Sequence, residues 1–204
     1  MRIGIDIDGV LTDLYYFNQF YGQLFCLEQN WPTSFFENGY KVRDMYHWTR
    51  TQERKFYQKY YLLYLKSSDF IRPFAVQTIH DLHKYHEIII ITARKNEDIP
   101  LIEKKSMEDI TEDWLQQNNF EYDSLKFGQD DKTDIILQND IQLMVEDSPD
   151  FFSTIDISIP ILCFNEKYNQ NVSGRNIYRV YNWMQIESKV CEINNNLLRG
   201  YTYE

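Results

Sequence analysis

The chain has 204 residues and a formal net charge of −10 at pH 7. This length suits one core domain with a modest insert and is too short for two complete enzymes. A surface this acidic repels nucleic-acid backbones and anionic membranes, so we expect neither as a partner. A small phosphorylated ligand is still compatible with the charge, because a bound cation reverses its sign inside a pocket.

The three cysteines of the chain, Cys26, Cys163 and Cys191, lie far apart in the sequence. Their spacing matches no metal-ligand pattern and is typical of free thiols in a reducing compartment. The chain starts with a strand-like run instead of a signal peptide, and none of its apolar stretches is long enough to span a bilayer. We therefore expect a cytoplasmic protein, and the sequence leaves its oligomeric state open.

The first predicted element is a β-branched strand at Ile3–Ile7. Residues 14–72 follow; they are rich in Tyr, Phe and Trp and contain few β-branched residues. Helical segments are expected there at 14–27 and 56–65. This composition predicts a small, mostly helical cap inserted after the first strand. The core domain would then comprise residues 1–13 and 73–204.

The rest of the chain alternates between strand-like and helix-like segments. Continuous apolar runs, typical of strands buried on both faces of a parallel sheet, occur at 86–92, 142–147 and 159–164. Apolar residues at helical spacing predict helices at 74–85, 106–118, 132–139, 149–155 and 183–198. The alternation predicts an α/β fold with a Rossmann-like, three-layer parallel sheet. The polar stretch 165–176 is expected to be a surface loop.

Two carboxylates leave the end of the first predicted strand, in the string Asp6-Ile7-Asp8-Gly9. Ligands of parallel α/β sheets bind outside the carboxyl ends of the strands, and residues two apart point to the same side of a strand. Asp6 and Asp8 would therefore face one spot, where close carboxylates need a cation. Glu146 and Asp147 end another predicted strand and would complete an oxygen-ligand site for Mg²⁺. The alternative for Asp6 and Asp8 is a pair of helix caps or a polar turn.

A phosphate-binding site is predicted at another strand end, Thr92-Ala93-Arg94. A hydroxyl and exposed backbone N–H groups follow a buried strand there, which suits phosphate oxygens. Lys132 precedes a predicted helix and would neutralise those oxygens. Taken alone, Thr92 is also explained as the end of a strand, and Lys132 is better explained as a solvated lysine.

These strings occur in the order of the four motifs of the haloacid dehalogenase superfamily. They are Asp6-x-Asp8-Gly9-Val10, Ile91-Thr92, Lys132 and Glu146-Asp147-Ser148-Pro149-Asp150. The resemblance covers nearly the whole chain, and within the superfamily the chain resembles the nucleotidase branch related to 5′(3′)-deoxyribonucleotidases. It departs from that branch in the fourth motif, where Asp-Asp-Arg-Pro-Asp is expected, and at Thr92-Ala93-Arg94, where Thr-Ser-Pro is expected.

The resemblance implies a Mg²⁺-dependent phosphatase that works in two steps. Asp6 attacks phosphorus and forms an aspartyl-phosphate, which water then hydrolyses. Asp8 protonates the leaving alkoxide and later activates the water. The metal would be held by the Asp6 carboxylate, the Asp8 backbone carbonyl and Asp147, with Glu146 in indirect contact. The groups implied to bind the phosphoryl oxygens are Gly9, Thr92, Ala93 and Lys132.

The cap is expected to close over the site and to contribute contacts with the substrate. Tyr15 and Tyr16 follow the first motif so closely that the chain cannot carry them far from it. Trp48 offers the largest stacking face of the insert, and Arg94 lies beside the predicted phosphate-binding residues. These four residues are the candidates for substrate binding. For most cap aromatics, a place in the cap's own core is the simpler explanation.

Three functions remain open at this level. The first is a phosphatase of nucleoside monophosphates, and the second is a phosphatase of a phosphorylated sugar, polyol or amino-alcohol made for a surface glycan. Both share the core residues and differ only in the cap. The third is a catalytically inactive domain that binds a phosphorylated ligand. The presence of Asp6, Asp8, Lys132 and Asp147 counts against the third.

Overall fold

Within the residues that the structure describes, six parallel strands form one sheet with helices on both faces. The computed structural model describes residues 1–95, 105–128, 131–155 and 157–200. The strands are β1 (Arg2–Ile5), β2 (Glu87–Thr92), β3 (Ser124–Phe127), β4 (Leu143–Glu146), β5 (Ile161–Phe164) and β6 (Ile177–Val180). Their order across the sheet is β3-β2-β1-β4-β5-β6, and every neighbouring pair is parallel.

The first helices after β1 form a layer of their own, whereas the later helices flank the sheet. Those in the described part of the chain are α1 (Leu14–Glu28), α2 (Val42–Tyr46), α3 (Arg50–Lys66), α4 (Ala75–His83), α5 (Met107–Gln117), α6 (Thr133–Gln138), α7 (Pro149–Thr154) and α8 (Trp183–Gly200). Helices α4, α5 and α8 share a buried core with one face of the sheet, whereas α6 and α7 pack on the other face.

Alternate residues of β2 show why both faces are covered. Ile88 and Ile90 are buried with α4, α5 and α8, and Ile89 and Ile91 are buried with α6 and α7. Side chains alternate along a strand with period two, so a strand that is apolar at every position needs a helical layer on each side. The predicted α/β class, with a three-layer Rossmann-like parallel sheet, is therefore confirmed.

Helices α1, α2 and α3 form a layer with an aromatic core of its own. Phe17 of α1 packs against Tyr64 of α3 with the ring centroids 4.8 Å apart. Helix α3 begins at a capping box, in which Thr49 and Gln52 satisfy each other's backbone N–H groups. Met107 of α5 is buried in the same cluster, so this layer rests on the core beside α5. The three helices lie inside the predicted cap, and the limits of 14–72 stay a prediction.

Two strands and one short helix were not predicted from the sequence. The strands β3 and β6 form the two edges of the sheet and are only partly buried, so they lack the continuous apolar run that marks the inner strands. Helix α2 is too short, at 5 residues, to show an apolar period. The segment 165–176 contains neither strand nor α-helix, as predicted, but it includes a 3-10 helix at Lys167–Asn169 and a buried Asn169.

Across the described ranges, none of the helices is both long enough and apolar enough to cross a membrane.

Candidate active site

The carboxyl ends of β1, β2 and β4 meet at one edge of the sheet, because β1 lies between β2 and β4. Strands β2 and β3 follow on one side of β1 and strands β4 to β6 on the other, so the strand order reverses at β1, and ligands of such sheets bind at this switch point. Asp6 follows β1, Thr92 ends β2, Glu146 ends β4 and Asp147 follows it. The structure therefore brings together the strand-end residues that the sequence predicted to share a site.

Three buried carboxylates form the centre of the site. One oxygen each of Asp6, Glu146 and Asp147 lies within 4.8 Å of the others. The Nζ of Lys132 donates hydrogen bonds to Asp6 Oδ1 at 2.5 Å and to Glu146 Oε2 at 2.6 Å. All four residues are buried, so the site separates these charges from water. Charges in such a setting interact more strongly than they would at the surface.

Burial and the neighbouring charges shift the pKa values of three groups in the cluster. Burial raises the pKa of Asp6 to about 7, against the opposing charge of Lys132 and with the support of the Glu146 charge. Burial and the charges of Glu146 and Asp6 raise the pKa of Asp147 well above its usual value. Burial would lower the pKa of Lys132, but the charges of Asp6 and Glu146 raise it, so Lys132 stays protonated. A further cation near these carboxylates would favour the ionised forms of Asp6 and Asp147.

Asp147 shows most directly that a cation fits. Its Oδ2 accepts a hydrogen bond from the hydroxyl of Tyr168, whereas its Oδ1 is buried without a hydrogen-bond partner among the described residues. A buried carboxylate oxygen of this kind is costly unless an ion or water satisfies it. Gly9 closes this side of the site: its φ is +99°, and a Cβ atom there would lie 2.1 Å from Asp147 Oδ2. The carboxylate oxygens match the ligand preference of a hard divalent ion.

Glu146 orients the turn that follows β4. Its Oε1 accepts the backbone N–H groups of Asp147 at 3.0 Å and of Ser148 at 3.1 Å, and its Oε2 accepts from Lys132. Both oxygens therefore have protein donors, in contrast to those of Asp147. This arrangement favours the indirect role predicted for Glu146, which stays a prediction.

The Asp8 carboxylate is held by Arg94 and Tyr64. It accepts hydrogen bonds from Arg94 at 2.7 and 2.9 Å and from the Tyr64 hydroxyl at 2.6 Å. Burial would raise the pKa of Asp8, but the Arg94 charge and the hydrogen bonds from Arg94 and Tyr64 outweigh it and lower that pKa. Asp8 is thus held as an anion at neutral pH. Its predicted contact with the metal concerns its backbone carbonyl and stays a prediction.

The predicted phosphate-binding residues differ in how they are held. Thr92 is fully buried at the end of β2, and its Oγ1 accepts the backbone N–H of Arg94 at 3.3 Å. Ala93 is partly exposed between them. Arg94 itself was expected to contact the substrate, but its guanidinium is buried and bound to Asp8. Its geometry therefore favours a contact within the protein over the predicted one with substrate.

The three cap aromatics occupy different environments. Tyr15 is buried, its hydroxyl has no partner among the described residues, and its ring centroid lies 6.2 Å from that of Tyr168. Tyr16 is exposed by 52% and stacks on Phe20. Trp48 is buried in the aromatic core of the cap and stacks on Tyr46 at 4.8 Å. This packing favours the simpler explanation for Trp48, a structural role in the cap.

Several residues of the site were missed by the sequence analysis. Tyr64 reaches Asp8 from α3, and Tyr40 of the cap donates to Ser148 Oγ at 2.9 Å. Lys41 forms an ion pair with Asp150 at 3.0 Å beside that contact. Each contact joins the cap to a core motif, and the only signal in the sequence was the abundance of tyrosine.

The segment after β5 supports the loops that follow β1 and β4. Asn169 donates through Nδ2 to the backbone carbonyl of Asp147 at 2.8 Å. Glu166 pairs with Arg72, which in turn donates to the backbone carbonyl of Gly9 at 3.0 Å. A segment predicted to be a surface loop therefore holds the two loops that carry Asp6 and Asp147.

Comparison with known proteins gives relatives for the chain as a whole. No family model matches it. A Bacillus subtilis protein that carries the name putative nucleotidase is 28% identical over 206 residues, which cover 96% of this chain and 95% of the relative. A Halalkalibacterium halodurans protein with the same name is 26% identical, over 94% of this chain and 93% of the relative. The solved structure of a haloacid dehalogenase-like hydrolase from Streptococcus pneumoniae superposes with a TM-score of 0.58 at 13% identity, covering 93% of this chain and 97% of that one.

These similarities confirm the resemblance predicted from the motifs. The fold is that of the haloacid dehalogenase-like hydrolases, and the sequence is similar to proteins named as nucleotidases over nearly its full length. The names of these relatives and of the superposed hydrolase agree with the expected class, an enzyme of the haloacid dehalogenase phosphatase type. The roles predicted for individual site residues stay predictions.

Proposed function

We propose that this chain, with the fold of haloacid dehalogenase-like hydrolases, is a Mg²⁺-dependent phosphatase that uses Asp6 as its nucleophile. The observation that carries the proposal is the buried cluster of Asp6, Glu146 and Asp147 with Lys132. A nucleophilic carboxylate, a fixed ammonium group and an unpartnered carboxylate oxygen are what phosphoryl transfer to an aspartate requires. The same cluster argues against a catalytically inactive binding domain.

In the first step an Asp6 oxygen attacks phosphorus, the bond from phosphorus to the leaving oxygen breaks, and an aspartyl-phosphate forms. Lys132 and the Thr92 hydroxyl stabilise the charge on the phosphoryl oxygens. Mg²⁺, when held by Asp6, the Asp8 carbonyl and Asp147, would reduce the repulsion between the anionic nucleophile and the anionic substrate. The buried setting keeps the ammonium group of Lys132 fixed before the reaction begins.

Asp8 acts as the general acid of the first step and the general base of the second. It gives a proton to the leaving alkoxide, and it then takes one from the water that hydrolyses the aspartyl-phosphate. Its present contacts with Arg94 and Tyr64 suit the second task, because they hold the carboxylate as an anion. For the first task Asp8 has to carry a proton, so its pairing with Arg94 has to loosen while the substrate is bound.

The proposed substrate is a nucleoside monophosphate. Two relatives that match nearly the whole chain are named as nucleotidases, which supports this class of small phosphomonoester. The cap supports it as well, since Tyr16 offers an exposed aromatic ring for stacking on a base. We further propose a cytoplasmic location, because all three cysteines are free thiols.

A panel of phosphomonoesters assayed with Mg²⁺ tests this proposal. The panel comprises ribo- and deoxyribonucleoside monophosphates, sugar phosphates and polyol phosphates, ranked by kcat/KM. Nucleoside monophosphates should rank first, activity should vanish in excess chelator, and Asp6→Asn should lower kcat at least about 1,000-fold in a folded protein. A panel led by sugar or polyol phosphates would overturn the substrate class. Phosphate release by folded Asp6→Asn would overturn the mechanism.

A further inference from the structure

We propose that Tyr168 restricts Asp147 to a single metal-binding oxygen and thereby favours Mg²⁺ over Ca²⁺ in this site. The inference rests on the proposed function only in requiring the metal site, and it is independent of the substrate. It assigns Tyr168 as a positioning residue, since the tyrosine acts through Asp147.

The two oxygens of Asp147 stand in different environments. Oδ2 accepts a hydrogen bond from the Tyr168 hydroxyl. Oδ1 is buried and has no hydrogen-bond partner among the described residues. The backbone of Gly9 also leaves little space beside Oδ2, because a Cβ atom on Gly9 would lie 2.1 Å from this oxygen. The carboxylate therefore presents one free oxygen, and the other is occupied by a donor from the protein.

Tyr168 is held firmly enough to perform this role. It lies in the short 3-10 helix Lys167–Asn169, whose last residue donates to the backbone carbonyl of Asp147 at 2.8 Å. Arg179 of β6 donates to the Asn169 side chain at 2.9 Å and to its backbone carbonyl at 3.0 Å. The Tyr168 ring packs against Tyr40 of the cap, with centroids 5.0 Å apart. The ring and the carboxylate that it contacts are thus fixed from both the core and the cap.

Mg²⁺ and Ca²⁺ differ in how they coordinate a carboxylate. Mg²⁺ binds in octahedral geometry and takes few protein carboxylates, whereas Ca²⁺ takes 6–8 oxygen ligands and commonly binds a carboxylate through both oxygens. The hydrogen bond from the Tyr168 hydroxyl to Oδ2 competes with a metal–oxygen bond at the same atom. Tyr168 consequently keeps Asp147 Oδ2 from binding Ca²⁺. Mg²⁺ does not need this second oxygen. Replacement of Tyr168 by Phe frees Oδ2 at nearly constant volume.

Metal binding measured without substrate tests this role. Mn²⁺ bound to the protein is followed by electron paramagnetic resonance and displaced with Mg²⁺ or Ca²⁺ to obtain both dissociation constants. In Tyr168→Phe the ratio of Kd for Ca²⁺ to Kd for Mg²⁺ should fall by about tenfold, a typical size for residues that orient metal ligands. The control is Tyr60→Phe, which loses a hydroxyl bonded to Glu28 within the cap and should leave the ratio unchanged.

The outcomes separate this inference from the proposed function. An unchanged ratio in Tyr168→Phe, or an equal weakening of both ions, overturns the selectivity role. Tyr168→Leu provides a second removal of the donor, and circular dichroism verifies the fold of each variant. Asp147→Asn should abolish binding of both ions. If it binds Mg²⁺ as the wild type does, the proposed metal site itself is wrong, and the inference fails with it.

Discussion

Asp6 is a carboxylate that the fold buries beside two others, and this has a consequence for stability in the absence of metal. Burial raises its pKa to about 7, well above the value of roughly 3.9 for an aspartate in an unfolded chain. Between these values the folded protein holds a proton that the unfolded chain has lost. The folded state then binds more protons than the unfolded state, so stability falls as pH rises through this window.

We therefore expect the metal-free protein to lose stability between about pH 4 and pH 7, and Asp6→Asn to lose less. The measurement is the free energy of unfolding by urea, in chelator, for both proteins across this range. Asp81→Asn is the control: Gln77 and Lys84 lower the pKa of that carboxyl, so it titrates below the window. Parallel pH profiles for the wild type and Asp6→Asn would contradict the raised pKa of Asp6.

Individual residues of the site differ in how far they could be predicted from the sequence. Asp6, Lys132 and Asp147 stand at the ends of apolar runs or beside a helix start, and parallel topology carries such positions to one edge. The contact of Tyr168 with Asp147 spans 21 residues and that of Tyr64 with Asp8 spans 56. Such contacts depend on how a loop or the cap packs on the core. The spacing of apolar residues along the sequence does not indicate this packing.

At the scale of elements, the pattern of apolar residues predicted the inner strands and the long helices. It did not predict the two edge strands of the sheet. The outer strands β3 and β6 face solvent in part, so their sequences resemble loops. The segment after β5 is a loop, as predicted, but two of its polar residues, Glu166 and Asn169, are buried. Asn169 donates hydrogen bonds to backbone carbonyls, and composition cannot distinguish such a residue from a solvated one.

Helix α3 is joined to the core by the Tyr64 hydroxyl, which donates to Asp8 at 2.6 Å and bonds to Thr12 Oγ1 at 2.5 Å. A hydrogen bond to a charged group contributes about 1.5–3 kcal/mol, and loss of this one leaves a buried carboxylate short of a donor. Tyr64→Phe should therefore lower the free energy of unfolding at pH 7 by about that amount.

The matched control lies one turn earlier on the same helix. Tyr60 donates to Glu28 at 2.9 Å within the cap, where the carboxylate is partly exposed. Tyr60→Phe should cost less than about 1 kcal/mol, because water replaces the lost donor. Urea denaturation measures the free energy of unfolding of both variants. An equal loss of this free energy in the two would show that the bond from α3 to Asp8 contributes nothing specific.

At the scale of the whole molecule, the cap and the core meet at the site through tyrosines. Tyr40 and Tyr64 of the cap contact Ser148 and Asp8 of the core, and Tyr15 lies against Tyr168. The cap thus borders the site both beside Asp147 and beside Asp8. A layer in this position can discriminate between substrates that share a phosphate and differ elsewhere.

Tyr15 is the cap residue in which this discrimination is best tested. Its buried hydroxyl has no partner among the described residues, so we expect it to hydrogen-bond a polar group of the natural substrate. Tyr15→Phe should lower kcat/KM for that substrate by about 10-fold, which corresponds to one neutral hydrogen bond, and should change an aryl phosphate little. Trp48→Phe, in the aromatic core of the cap, is the control and should alter stability while leaving the substrate ranking unchanged. Steady-state kinetics on both substrates measure the difference, and equal losses on both in a stable Tyr15→Phe protein would place substrate recognition outside this hydroxyl.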